Sequence, residues 1–294
     1  MAPNTVPPDA TPPAAGRPGA APGPRDAAAA GPRGPVVEVD LTDGVAHVRL
    51  NRPDARNALD AAMAAGLRDA ARRCAEADGL RAVLISGAGP VLTVGGDIAV
   101  FASATDRRRP GLMRDMAALY HEALQGFLRL DAPIVCAAHG AVAGGGLGLL
   151  YVADLVLAAE GTRFALGYAA LGLSSDAGSS WFLPRLVGPK RAAELYFEQR
   201  VLNAHEATEW GLVSRVVPAD ALPEEALAVA RRLAAGPTRA YAEMRHLLND
   251  SGNQSLSDHL AAEERAMYRT AATVDAAEGI AAFAGKREPH YQGW

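Results

Sequence analysis

The order of strand-like and helix-like segments along this chain predicts an α/β fold. Two observations support this. Apolar strand patterns alternate with helical patterns from about residue 36 onward, and the spacing between successive strands is long enough to hold a helix. This order is typical of βαβ units, in which a helix connects parallel strands. Of the 294 residues, 49% are hydrophobic, so the chain can bury one sizeable core.

The first 35 residues differ in composition from the rest of the chain. They contain half of the 20 prolines, Ala and Gly fill most of the gaps, and bulky apolar residues are nearly absent. Such a segment cannot offset the entropy of ordering, so we predict that residues 1–35 are a disordered tail. A signal peptide would need a basic start and an apolar run, and neither is present. The arginines leave a transit peptide as an alternative, although the prolines would break its amphipathic helix.

The first predicted element is a β-hairpin. Residues 36–40 and 45–50 have strand patterns and are joined across Asp43-Gly44, a dipeptide that suits a tight hairpin turn. Further along the chain, the patterns predict a helix that Asp60 caps and that runs to Cys74, strands at 82–86, 134–138, 155–157 and 164–166, and a helix over 112–128.

Two glycine-rich turns are the candidate functional feature. Val94-Gly95-Gly96-Asp97 and the segment 139–146, which ends in Gly144-Gly145-Gly146, each follow an apolar strand-like run and lead towards a helix. Such turns point backbone N–H groups at one oxygen atom, and two donors from distant segments form an oxyanion hole. For a single turn the alternative is that glycine serves only a positive φ or close packing.

Five short motifs follow one another along the chain. They are Asn51-Arg52-Pro53 with Asn57-Ala58-Leu59, Gly95-Gly96-Asp97, His139-Gly140 with Gly144-Gly145-Gly146, Gly211-Leu212-Val213, and Glu278-Gly279 with Phe283, Lys286 and Arg287. In this order they resemble the crotonase, or enoyl-CoA hydratase/isomerase, superfamily.

The resemblance runs from about residue 36 to the C-terminus. It implies a spiral of ββα units as a catalytic core over 36–221 and a helical oligomerisation region over 222–294. It also implies a homotrimer or a dimer of trimers. The implied substrate is an acyl-CoA thioester whose carbonyl oxygen is held by the N–H groups of Gly96 and Gly145. No cofactor is expected beyond the coenzyme A that forms part of the substrate.

The acid/base residues decide the reaction, and here the chain departs from the hydratase pattern. Typical hydratases of this superfamily carry one glutamate two residues after the glycine triplet and another after the strand that corresponds to Phe164. The matching positions are Gly148 and Tyr168. Two carboxylates help to hold water and to transfer its proton, so their absence argues against simple hydration.

Asp176 is the carboxylate that the chain offers instead. The segment 171–185 resembles that of dienoyl-CoA isomerases and ring-1,2-epoxyphenylacetyl-CoA isomerase-like proteins, in which an aspartate at this place moves a proton. One carboxylate suffices for a 1,3-proton shift. The alternative is that Asp176 caps a helix starting near Ala177. Both roles can coexist.

Coenzyme-binding positions come from the resemblance alone. Arg56 and Val94 match positions near the coenzyme, and Phe283 and Lys286 match residues that reach the nucleotide of a neighbouring subunit in many relatives. For Lys286 the alternative is a solvated cation that complements a helix end. Tyr168 and Trp181 are candidates for the substrate pocket, with ordinary core packing as the alternative for both.

Composition excludes several other functions. A net charge of −4 offers no basic surface for nucleic acid, and no apolar run reaches the ~18 residues of a membrane helix. Cys74 and Cys136 lie in apolar patterns as buried thiols, which favours a reducing, cytoplasmic setting. His121 and other histidines in helical patterns have no ligands at metal-binding spacing, so no metal site is predicted.

The sequence therefore predicts an acyl-CoA isomerase with Gly96, Gly145 and Asp176 as its catalytic residues. An enoyl-CoA hydratase with an atypical site is the enzyme alternative. A catalytically silent crotonase that acts as a binding partner is the alternative of another class.

Overall fold

The computed structural model of the protein describes residues 34–294. The predicted disordered tail, residues 1–35, therefore lies outside the described residues except for its last two positions.

Strands and helices alternate along the described chain, and the α/β prediction is confirmed. The strands are β1 (Val37–Thr42), β2 (Val45–Leu50), β3 (Ala82–Gly87), β4 (Ile134–Ala138), β5 (Ala141–Ala143), β6 (Leu155–Ala159), β7 (Arg163–Ala165), β8 (Leu202–Asn203) and β9 (Arg215–Val217). The helices are α1 (Ala61–Glu76), α2 (Ile98–Ser103), α3 (Arg109–Leu128), α4 (Gly148–Tyr151), α5 (Ser179–Val187), α6 (Pro189–Phe197), α7 (Ala204–Glu209), α8 (Leu222–Ala234), α9 (Thr238–Asp250), α10 (Leu256–Ala271) and α11 (Val274–Gly285).

The strands form two sheets. The larger has the order β1-β2-β3-β4-β6-β9, in which only the β1–β2 pair is antiparallel, and the smaller has the order β5-β7-β8. Parallel neighbours require crossover connections, and α1 and α3 provide two of them, between β2 and β3 and between β3 and β4. Because β3 and β4 are adjacent, the loops that follow them along the chain start from the same edge of the sheet.

The predicted hairpin is confirmed. Asp43 and Gly44 have φ values of 52° and 77°, the two positive values that a type I′ turn needs, and the register pairs Val37 with Leu50. Asp60 accepts a hydrogen bond from the Met63 N–H at 2.8 Å and so caps α1, as predicted.

The core lies on both faces of the large sheet. On one face, α1 and α3 bury Met63, Leu67 and Phe127 against the strands. On the other face, α8 covers the sheet with Val229 and small residues. Buried strands with apolar side chains on both faces are typical of parallel sheets, which explains why β4 consists entirely of buried residues.

Helices α8 to α11 occupy the C-terminal region, as the resemblance implies. Arg245 anchors α9: its buried guanidinium pairs with Asp154 at 2.8 Å and donates to the carbonyl oxygens of Leu128, Leu130 and Val152. Many apolar residues beyond this anchor remain exposed in the single chain: Leu248, Leu256, Leu260, Met267, Tyr268, Ile280 and Phe283. Their role in oligomerisation stays a prediction. Within residues 34–294, none of the helices has both the length and the apolar character that a membrane span requires.

Candidate active site

A cavity of about 460 Å³ lies where the two glycine-rich turns meet the segment 166–176 and helix α3. Five of the residues selected from the sequence line it: Val94, Gly96, Gly145, Tyr168 and Asp176. Much of the remaining wall is apolar and includes Ile98, Phe101, Met113, Met116, Leu171 and Leu173. An apolar cavity with a few convergent polar groups is the usual form of a small-molecule site.

Gly96, the first predicted donor, lines this cavity. Leu59 and Gly96 form a parallel bridge in which the Leu59 N–H donates to Gly95 O at 2.8 Å and the Asp97 N–H donates to Leu59 O at 2.9 Å. This pattern leaves the Gly96 N–H out of the pairing. Gly95 has a φ of 79°, and a Cβ there would lie 2.5 Å from Ala143 O, so this position requires glycine.

Gly145, the second predicted donor, also lines the cavity. It lies in the first turn of a short 3₁₀ segment, Gly144–Leu147, that leads into α4. The first N–H groups of such a segment have no acceptor within it, and the N-terminal dipole favours negative charge. A Cβ on Gly146 would lie 2.4 Å from Thr93 Cγ2, so the two glycine-rich turns pack directly on one another. The fold thus brings the predicted donors to one wall.

Asn57 and Thr93 hold the first turn in place. The fully buried Asn57 side chain donates to the carbonyl oxygens of Ala88 and Val91, at 2.9 and 3.0 Å. Thr93 donates its hydroxyl to Asn57 O at 2.7 Å and accepts from the Gly95 N–H at 3.2 Å. Sequence reasoning selected Asn57 only as part of a motif and missed Thr93, which carries no local signal.

Asp176 lies beside the second donor. A Cβ on Gly145 would lie 3.3 Å from Asp176 Oδ1, and the Tyr168 hydroxyl donates to that same oxygen at 2.5 Å. The capping alternative for Asp176 is wrong. Helix α5 begins at Ser179 with Gly178 as its N-cap residue, and only the backbone carbonyl of Asp176 accepts a bond from that turn. Its side chain is therefore directed to the cavity rather than to a helix end.

Tyr168 acts as a hydrogen-bond donor to Asp176. Burial raises the pKa of the Tyr168 phenol, and the neighbouring Asp176 charge and the hydrogen bond to it raise the pKa further. The phenol therefore stays protonated and can donate throughout the ordinary pH range. Placement in the cavity wall agrees with the predicted pocket position.

Position 148 is closely packed, so a side chain there would require its neighbours to shift. A Cβ there would lie 2.9 Å from Leu124 Cδ1 and 3.1 Å from both Ala177 Cβ and the Tyr120 hydroxyl oxygen. Tyr120 is itself buried, and its hydroxyl has no hydrogen-bond partner within residues 34–294. The place where hydratases of the resembled superfamily carry a glutamate is thus a closely packed glycine.

Asp60 is the other carboxylate of the cavity wall, and it is already engaged. Its Oδ1 caps α1, and its Oδ2 pairs with Arg52 at 2.8 Å. Of the carboxylates that line this cavity in the described chain, Asp176 alone has no cationic partner.

The remaining selected residues lie elsewhere. Arg56 is exposed and contacts the site only through its carbonyl, which accepts from the Val94 N–H at 3.3 Å. Phe283 and Lys286, at the end of α11, are exposed and do not line this cavity. Trp181 does not line it either, which corrects its prediction as a pocket residue: it lies on α5 with the Arg185 guanidinium 3.9 Å above its ring.

Comparisons with known proteins agree with this architecture. The family model described as enoyl-CoA hydratase/isomerase matches residues 40–293. A 1,2-epoxyphenylacetyl-CoA isomerase from Escherichia coli (strain K12) is 31% identical over 250 residues, which cover 85% of this chain and 95% of that protein. A 4-chlorobenzoyl coenzyme A dehalogenase from Arthrobacter sp. is 30% identical over 250 residues, covering 85% and 91%. The crystal structure of an enoyl-CoA hydratase from Polaromonas sp. JS666 superposes with a TM-score of 0.82 at 30% identity, covering 87% and 99%.

Proposed function

The chain belongs to the enoyl-CoA hydratase/isomerase family, within the crotonase superfamily, and from this premise we propose that it is an acyl-CoA isomerase with Asp176 as its single base. The family relationship supplies the coenzyme A thioester as substrate class. The choice of isomerisation comes from the site.

The chemistry starts at the thioester carbonyl. Removal of a proton next to this group places negative charge on its oxygen, and the N–H groups of Gly96 and Gly145 stabilise that enolate. Each such donor contributes on the order of 3 kcal/mol when it is aimed at the developing charge. Asp176 takes the proton from one carbon and returns it to another, so atoms and charge balance without added water.

The closely packed glycine at position 148 is the observation that carries the proposal. Hydration across a double bond is served by two carboxylates that hold one water molecule, and within the described chain this cavity offers one carboxylate without a cationic partner. Leu124, Ala177 and Tyr120 pack closely around the glycine that replaces one carboxylate, and the Tyr168 phenol replaces the other. The site is therefore suited to moving a substrate proton rather than to activating water.

A substrate panel tests the proposed reaction. Purified protein is incubated with 3-enoyl, dienoyl and 2-enoyl thioesters, an aromatic epoxide thioester and 4-chlorobenzoyl-CoA. The products are separated by liquid chromatography and identified by NMR together with mass spectrometry, because an isomer has the same mass as its substrate. We expect isomerised products of unchanged mass from one of the first, second or fourth substrates. The proposal would be overturned if the protein hydrates the 2-enoyl thioester faster than it isomerises any substrate. It would also be overturned if the main activity is release of chloride from 4-chlorobenzoyl-CoA.

Replacement of the base tests the role of Asp176. Asp176→Asn keeps the size of the side chain but removes the base, so turnover should fall by about 100- to 10,000-fold with little change in thioester binding. Asp60→Asn is the matched control, because it changes the other carboxylate of the wall while Asn retains the ability to cap α1. Its loss of turnover should be much smaller. Comparable losses in both variants would remove the special role of Asp176.

A further inference from the structure

The turn that carries Asp176 contains an unusual pair of backbone conformations. Ala177 and Gly178 have φ values of 54° and 76°, so two consecutive residues lie in the left-handed region. Glycine adopts this region freely, but alanine does so rarely because its Cβ approaches the backbone. Ala177 is also fully buried. Neighbouring groups must therefore hold this residue in place.

Two contacts hold Ala177. Its N–H donates to His121 Nε2, on helix α3, at 3.1 Å. Its Cβ packs against the bare backbone of Gly148, where an added Cβ would lie 3.1 Å from it. The first contact is directional and fixes the peptide plane between Asp176 and Ala177, whereas the second is packing only. Since that peptide plane carries the Asp176 Cα, its orientation determines where the carboxylate points.

We propose that His121 is a positioning residue for Asp176. By accepting the Ala177 N–H, it holds the strained turn in the one arrangement that brings the Asp176 carboxylate to Gly145 and to the Tyr168 hydroxyl. His121 does not line the cavity in the described chain, so it acts through Asp176 and not on the substrate. The inference rests on the proposed function, because it concerns the base assigned there.

The hydrogen bond from the Ala177 N–H also determines the tautomer of the His121 imidazole. Nε2 must be unprotonated to accept a hydrogen bond, so the single ring proton lies on Nδ1. A side chain that offers an acceptor at the same distance can take over this role, and one without an acceptor cannot. This difference allows positioning to be separated from packing.

The test compares two variants at one position. His121→Leu removes the acceptor and should lower kcat by about 10- to 100-fold while KM changes little, because small displacements of a reacting group have effects of this size. His121→Gln places a carbonyl oxygen near the former Nε2 and should recover most of this loss. In the Asp176→Asn background, His121→Leu should cause no further loss, since the two residues act as one unit.

A second measurement does not depend on the reaction. Hydrogen exchange of the Ala177 amide should be faster in His121→Leu than in the parent protein and close to the parent rate in His121→Gln. If His121→Leu fails to fold, His121→Gln alone decides, because a folded Gln variant with a large loss of kcat contradicts the proposal.

The outcomes also separate the two proposals. Three results would each overturn the role of His121 while leaving the isomerase assignment intact. The first is an equal loss of kcat in His121→Leu and His121→Gln, and the second is an unchanged kcat in His121→Leu. The third is that His121→Leu lowers kcat as much in the Asp176→Asn background as in the parent protein. A fully active Asp176→Asn enzyme would instead overturn the proposed function, and amide exchange would then still show whether His121 holds the turn.

Discussion

The two walls of the cavity are built by different means. The hole wall, residues 93–97 and 143–146, is held by backbone hydrogen bonds, by the side chains of Asn57 and Thr93, and by close packing at Gly95 and Gly146. The base wall, residues 166–178, includes an exposed stretch over 169–174. Near Asp176 it is held by single hydrogen bonds that the side chains of Tyr168 and His121 make, and by one between Ser175 and Tyr196. The hole wall therefore tolerates little change, whereas the base wall can be altered one side chain at a time.

This difference bears on how one architecture serves several reactions. Both walls lie in one cavity. In the proposed mechanism the hole wall stabilises an enolate whatever the fate of the proton, and the base wall decides that fate. The names of the relatives, which include an isomerase and a dehalogenase, are consistent with such a division. Specific variants on each wall can test it.

The largest effect is expected on the hole wall. Gly145→Pro removes the N–H outright, and turnover should fall by at least ~100-fold, the scale of a single lost oxyanion donor. Gly145→Ala is the control: it retains the N–H but places a Cβ 3.3 Å from Asp176 Oδ1, so its effect should be smaller. Circular dichroism and thermal melting must show that both variants fold. Near-normal turnover in a folded Gly145→Pro variant would exclude Gly145 from the hole.

The next effect concerns the stability of the hole wall. In Gly146→Ala the new Cβ would lie 2.4 Å from Thr93 Cγ2, and overpacking of this kind lowers the free energy of unfolding by about 1–3 kcal/mol. Gly111→Ala is the matched control, because no atom lies within 4 Å of a Cβ on this residue of α3. Denaturant unfolding measures both. Equal stability of the two variants would show that the hole wall is not tightly packed.

A smaller effect is expected on the base wall. Tyr168→Phe removes the donor to Asp176 Oδ1, so kcat should fall by about tenfold, the loss expected from one hydrogen bond to a charged group. Since the pKa of Tyr168 is raised above its usual value, the phenol donates throughout the neutral and mildly alkaline range. The ratio of kcat between parent and variant should therefore be constant over that range. A ratio that falls towards one as the pH rises would mean that Tyr168 loses its proton.

The sequence predicted the parts of the molecule that have local signals. Periodicity and the Asp43-Gly44 turn located the hairpin, several buried strands and the helices α1 and α3, whereas the C-terminal helical region came from the resemblance. The patterns missed β8, with two residues, and α2, with six. The glycine motifs predicted Gly96 and Gly145 as backbone N–H donors, and both residues line the same cavity in the structure.

The missed residues act over long separations in the chain. His121 was read as an ordinary helical histidine because its contact is 56 residues away, at Ala177. The capping interpretation of Asp176 was wrong because Ala177 and Gly178 both adopt left-handed conformations, so the helix begins only at Ser179. The resemblance identified Gly148 as a departure from the hydratase pattern, but only tertiary packing shows that its neighbours would have to shift to admit a side chain.

The smallest effect concerns residues that belong to neither wall of a single chain. Phe283 is 89% exposed, and Lys286 ends α11 in a left-handed conformation with its side chain exposed. If the predicted trimer forms, the C-terminal helices bring these residues to the coenzyme of a neighbouring subunit. Lys286→Ala should then raise KM severalfold and leave kcat unchanged, because the variant loses only the binding of a coenzyme phosphate, which is equal in the ground state and the transition state. Light scattering at micromolar protein checks the assembly. A stable, active monomer whose KM is unaffected by Lys286→Ala would show that Lys286 only complements the helix end and that the two walls of one chain form the complete site.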